Sequence, residues 1–483
     1  MGTWLKRALL GAAIFTLCWA GAVWYWRSNN MMPGTGDLAL YLLVLPLVLL
    51  FLAWFAERLV LLVAAAPAAS AAGAEAASTS GADQQPAAPQ AAPVVDLLAG
   101  ALRLPHGQSP QELREAVADN AARPDLDSEL TDDHGFPLMT ARVAGLEVAA
   151  TEEALSAWLE QKGLPDPGFD TEQLRALALG GEVVAELAQT ATLHQHLFGY
   201  ETATPAARAA MALPMLQLLP MLPADWELGQ RLAAGRWLLH LVEQQGWPAE
   251  HLALSAAAER GGASPLSLIG QLSQQSAREE LPCLAILLAC ASHLGDNTVE
   301  QWASEGVLFT ARNQRGQIPG EGAAGLLLAD STQAALIDTA AAPQLQGAVQ
   351  AARDHSADTG RADAVLLTGL CQEALAGAGS EAVQVQLIAS DTDHRGSRTA
   401  EMMSVAGAVL PHLDPATQAV AVSATCGQAG PVGAVAALVL ARQEVADNAS
   451  HALYLSNQDP YQRSAAIVRP KPEPASTSKP HAA

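Results

Sequence analysis

Ile318-Pro319-Gly320-Glu321-Gly322-Ala323-Ala324-Gly325-Leu326-Leu327-Leu328-Ala329 passes from a proline through three glycines into an unbroken apolar run. A run without polar alternation predicts a strand covered on both faces. The glycines predict positive φ and close backbone approach in the tight turn that leads into it, so a structural role is expected for Gly320, Glu321 and Gly322 whatever chemistry lies nearby. On either side of this segment, short β-type runs alternate with Ala-rich helical stretches. Residues 251–255 precede a predicted helix at about 265–278, and 283–289 form the next predicted strand. Such alternation predicts an α/β fold of parallel strands with covering helices.

The amino-terminal end reads differently. Two charge-free apolar runs, Ala8–Trp26 and Leu38–Ala56, each span 19 residues. At 1.5 Å per residue each nearly matches a hydrocarbon core of about 30 Å. Trp24, Tyr25, Trp26 and Trp54 stand near the ends of these runs, where amphipathic rings favour the headgroup level. A cleaved signal peptide competes, but Trp-Tyr-Trp replaces the small residues that cleavage needs. Lys6, Arg7 and Arg58 flank the pair, which places both ends in the cytoplasm and the protein in a bacterial inner membrane.

Residues 64–93 are nearly all Ala, Ser, Gly, Gln and Pro, too poor in bulky apolar groups to offset the entropy of ordering. Expected boundaries are therefore a two-helix transmembrane hairpin at 1–63, a linker at 64–93, a soluble domain at 94–455 and a disordered basic tail at 456–483. Residues 1–65 hold four basic and two acidic side chains, so the remainder carries the whole acidic excess behind the net charge of −23. That field disfavours nucleic acid as a partner. Five cysteines, an odd set without CxxC spacing, argue against a disulfide framework or a zinc site. Neither a metal nor a cofactor is expected.

The Pro319–Ala323 segment resembles the PGEGA segment of β-ketoacyl synthases in the thiolase superfamily, and four further segments follow that family's order. Leu97 to Pro105 with Ser109 to Leu113 is similar to the first strand and helix start. Leu254 to Gly262 stands where the family carries its nucleophile elbow, and Ser390 to Gly396 replaces the HGTGT loop. Val420 to Gly430 resembles the strand and glycine-rich turn that hold the second histidine. The likeness covers roughly 95–445 and is weakest between 120 and 240. It implies a thiolase-like αβαβα layered fold of two similar halves, preceded by the transmembrane helices and the disordered linker.

The chemistry that the resemblance implies needs a cysteine at a helix amino terminus and two histidines. Ala257 stands at the cysteine, Asp391 at the first histidine and Gln428 at the second, with Ala424 for an expected lysine and Gln317 for an expected phenylalanine. Neither a thiol nor an imidazole is expected in the cleft, and the protein is expected not to be an enzyme. A rival register makes Cys290, in Ala289-Cys290-Ala291-Ser292-His293, the nucleophile. It leaves too little chain before Gly320 for a buried helix, a strand and a crossover.

Other polar groups have bland readings. His194 and His196 are expected on the surface of a helix, and Asp354, His355, Asp358 and Asp363 in a solvated loop, a metal site being the alternative. The whole reads as a non-catalytic adaptor or scaffold for a protein client. Its layout of anchor, tether and inert acidic body resembles the adaptors of type VI secretion lipase effectors. The alternative is a membrane-tethered acyl-chain condensing enzyme or its non-catalytic chain-length partner. A thiolase-fold partner, in a homodimer or a heterodimer, is expected in either case, and a lipid bilayer is expected around the two helices.

Overall fold

The computed structural model describes residues 94–472, apart from 133, 201, 257–261, 338–341 and 360–362, and for 209 and 210 only the backbone. In chain order, β1 (Val95–Arg103) is followed by a small antiparallel ribbon of β2 (Asp125–Thr131) and β3 (Pro137–Thr140). Then come β4 (Leu216–Met221), β5 (Leu252–Leu254), β6 (Leu284–Ser292) and β7 (Glu321–Ala329). The second half carries β8 (Gln344–Ala352), β9 (Val385–Ser390), β10 (Ala419–Ala421), β11 (His451–Ser456) and β12 (Gln462–Arg469).

All but the ribbon join in the order β10-β9-β11-β12-β8-β1-β7-β6-β4-β5. Counted within its own half, each set of strands has the same order: third, second, fourth, fifth, first. In both, the second strand pairs in parallel with the third and the fourth, and the fifth runs antiparallel between the fourth and the first. The halves meet where β1 and β8 pair antiparallel. Two similar halves are present, as expected. An all-parallel arrangement is not, because β7 and β12 are each inserted against the direction of their neighbours.

Helices α1 (Pro110–Ala118), α2 (Val148–Lys162), α3 (Thr171–Ala191), α4 (Leu228–Gln244) and α5 (Pro265–Glu279) belong to the first half. Helices α6 (Val365–Ala378), α7 (Gly396–Val409) and α8 (Val432–Asn448) belong to the second. Strand periodicity sorts their side chains into three apolar clusters. Leu284, Ile286, Leu288 and Cys290 of β6 face α3 and α4, whereas Ala285, Leu287 and Ala289 face the α8 side. Likewise Leu453 and Leu455 of β11 face α6 and α7, and Ala452 and Tyr454 face inward. Three clusters between sheets and helices give the αβαβα layering.

The middle layer holds α8, whose residues from Val432 to Ala441 are all buried. A helix apolar all round belongs where both sides are covered, and α8 touches β7 and β1 of one half and β9 and β11 of the other.

The tail expected from residue 456 onward is a correction: residues 462–469 are β12, paired along its length with β11 on one side and β8 on the other. Its two arginines and small side chains hide a strand whose Ala465, Ala466, Ile467 and Val468 are fully buried. The segments expected to form a transmembrane hairpin and a linker, and Cys18 with them, lie outside the described residues. Within those residues, no helix is long and apolar enough to cross a membrane.

Candidate functional site

The carboxyl ends of β4, β6, β9 and β11 open on one cavity of about 710 Å³, the position at which α/β sheets commonly receive ligands. Its first-half lining mixes the apolar Met221, Leu222, Pro223 and Leu268 with Asp225, Gln271 and His293; its second-half lining is mainly polar, with Asp391, Arg395, Gln458 and Arg463.

The cavity brings together two of the three positions singled out by the sequence, Asp391 and Gln428. Ala257 lies outside the described residues. The helix start facing the cavity is Pro265, capped by Ser264, whose Oγ accepts the Ser267 N–H at 3.1 Å and donates to Gln350 Oε1 at 3.0 Å.

Asp391 is buried just past β9, and its carboxylate is fully engaged. Oδ1 accepts the Asn457 and Gln458 N–H groups at 2.8 and 3.2 Å, and Oδ2 accepts from Ser456 Oγ at 2.5 Å. Burial pushes its pKa up to about 6, against the opposing pull of those donors. Gln428 is half-buried, and its Oε1 accepts from Gln458 Nε2. Both side chains therefore serve the turn between β11 and β12.

The same turn is held from below by ion pairs. Arg395 and Arg398 both reach Asp358, at 2.8 and 2.6 Å, and each donates to the Gln458 carbonyl. Fully buried Arg463 pairs with Glu401 at 2.8 Å, and Arg353 joins the same oxygen at 3.1 Å. Asp358 lies in the solvated loop expected of it, and its carboxylate also anchors the polar wall. Among the described residues, no cluster of His, Cys, Asp or Glu is arranged to hold a metal ion.

One imidazole does line the cavity, away from the positions expected to be catalytic: His293 follows β6 and is 9% exposed. Its Nδ1 lies 2.7 Å from the Gln428 carbonyl oxygen, and its ring packs against Trp302 with centroids 5.0 Å apart. Burial lowers its pKa, while the Gln428 carbonyl and the Asp225 carboxylate oppose that shift. No local signal marked it, because its partner is 135 residues away in the chain.

Behind the cavity, the opening segment performs the structural role expected of it by close approach alone. Gly320, Gly322 and Gly325 are absent from the positive-φ residues; the positive φ falls instead on Gly427 and Gly430 of the facing turn. A Cβ on Gly320 would sit 2.3 Å from the Cys426 carbonyl oxygen, and one on Gly322 would sit 3.0 Å from the Arg103 carbonyl oxygen. Glu321 is fully buried and accepts from Val143 N, Ser292 Oγ and two nitrogens of Arg175.

Cys290 lies within β6 on the outer face, its Sγ pressed against Gly180 of α3, away from the cavity. Burial pushes its thiol up to about 12, against the thiolate that the rival register needs. The expected helix beneath His194 and His196 ends at Ala191. His194 is buried rather than exposed, with Nε2 3.0 Å from Gln333 Oε1.

No family model matches the sequence, and no curated protein matches it. Solved structures do match. The ketosynthase from module 6 of the bacillaene synthase of Bacillus subtilis 168 superposes with a TM-score of 0.52 at 11% identity, over 78% of this chain and 72% of that one. The fold resembles that of ketosynthases. A module 1 ketosynthase of the bacillaene synthase of Bacillus amyloliquefaciens FZB42 gives 0.50 at 11% identity, over 81% and 76% of the two chains. At such identities the likeness is one of fold, and it carries no residue role with it.

Proposed function

We propose that this chain is a non-condensing protein of ketosynthase-like fold that binds a protein client at the bacterial inner membrane. The reading rests on one observation: both described side chains at the positions expected to be catalytic are engaged in holding a turn. Asp391 accepts three hydrogen bonds from residues 456–458, and the Gln428 amide is bonded to Gln458. A carboxylate in that place repels a developing oxyanion, and an amide does not shuttle protons near neutral pH. The four described cysteines are all buried. Two apolar runs of 19 residues supply the anchor, and the acidic body suits a basic client, a type VI secretion effector being the kind suggested by the layout.

A second reading, the non-catalytic partner of an active condensing enzyme, is favoured by the cavity of about 710 Å³, whose lining includes Met221, Leu222, Pro223 and Leu268. Either role uses a protein partner. The edge strands β5 and β10, three residues each, are the places where a second sheet can add.

The test is to supply an acyl thioester and a malonyl thioester to the purified protein, and to cross-link it in native membranes. The proposal expects no chain-extended product and one recurrent cross-linked protein, an active ketosynthase under the second reading. A chain-extended product sinks both.

A further inference from the structure

His293 is the one imidazole lining the cavity among the described residues. A carbonyl oxygen only accepts, so the 2.7 Å contact with Gln428 O puts the ring hydrogen on Nδ1 and the lone pair on Nε2. That carbonyl is itself fixed: it also accepts the Gly320 N–H at 3.1 Å, and the Gln428 N–H donates to Ile318 O at 2.7 Å. Trp302 holds the ring from the side. In its neutral form the ring is thus held in a single tautomer, beside the apolar Met221, Leu222 and Leu268 and across the cavity from the polar Asp391, Arg395 and Gln458.

We propose that His293 gives the cleft a hydrolytic activity toward small activated acyl esters, with Nε2 as the nucleophile. Nε2 forms a bond to the acyl carbon as the ester C–O bond breaks, and the alkoxide or phenoxide leaves with its electron pair. The acylated ring keeps its Nδ1 proton and becomes cationic, and the Gln428 carbonyl stabilises that charge through the same hydrogen bond. Water then adds to the acyl carbon and gives up one proton to the departed alkoxide or phenoxide through solvent, the N–C bond breaks with its electron pair returning to Nε2, and the carboxylic acid leaves neutral His293 behind. One water is consumed per ester and no carbon–carbon bond is made, so this activity stands or falls independently of the non-condensing role. Asp225, the charged group acting on the ring, favours its cationic form.

The experiment follows p-nitrophenyl acetate hydrolysis by the full-length protein and its His293→Gln variant. The variant should lose about 100-fold in rate. The wild-type pH profile should bend below the ordinary imidazole value of about 6.5, because the reactive ring is the buried one. Equal rates, or a bend at the ordinary value, overturn the proposal. If the variant does not fold, acid quenching of the wild-type reaction and peptide mapping decide. An acetyl group on His293 supports the assignment; one found elsewhere, or none, ends it.

Discussion

Arg175 closes on Glu321 with two guanidinium nitrogens, Nε to Oε2 at 2.8 Å and Nη2 to Oε1 at 2.5 Å, at the point where the glycine turn becomes β7. Glu321 has no exposed surface, so removing its partner leaves an uncompensated charge inside the protein. Arg175→Met should cost about 3 to 5 kcal/mol in chemical denaturation, and Glu321→Gln in that background should recover part of it. Independent, additive losses would show that the pair does not act as one unit.

Gly320 faces a different constraint. Its missing side chain makes room for the Cys426 carbonyl, so Gly320→Ala must displace backbone and should destabilise by roughly 2 kcal/mol or more. Gly270→Ala, where nothing lies within 4 Å of the added methyl, is the control and should stabilise α5 by about 0.5 to 1 kcal/mol. Similar melting temperatures for the two variants would refute the close-approach argument.

Asp391 sets a pH dependence whose sign is fixed by its raised pKa of about 6. Between about pH 4 and 6 the unfolded carboxyl is already ionised while the folded one keeps its proton, so stability is greatest at the acid end and declines toward pH 6. In urea denaturation across this window, Asp391→Asn should remove that decline, on the order of 2 to 3 kcal/mol. A difference between wild type and variant that is flat with pH would contradict the buried, proton-retaining carboxyl.

Cys290 should be silent in function and slow toward thiol reagents, since burial raises its pKa to about 12. Cys290→Ala should lower stability by about 1 kcal/mol through lost packing and leave every binding property unchanged. Fast labelling of Cys290 in the native protein would mean that β6 opens far more often than its burial allows.

Much of the architecture could be read from the chain because its central elements are extreme in composition. The apolar runs of β6 and β7, the start of α5 after Ser264 and the apolar residues 432–441 of α8 each carry a simple pattern. β12 could not be read that way. Its Arg463 looks like a tail residue until Glu401, on a helix 62 positions earlier, is seen to neutralise it. At the site, Asp391 and Gln428 were found through the order of segments, but what they do was not, since their partners lie on a turn between later strands. His293 illustrates the limit most clearly, because a backbone carbonyl gives no signal in sequence.

The repeated strand order also bears on how the protein is made. In the first half the fifth strand, β7, is followed by more than a hundred residues of chain, so that sheet can close while synthesis continues. In the second half the equivalent strand, β12, is the last strand among the described residues, yet it lies in the interior between β8 and β11. Until β12 has been made, β8 and β11 each keep one edge unpaired, and those edges are open to other nascent chains. A stop codon between β11 and β12 should therefore yield aggregation rather than a shortened, partly working protein.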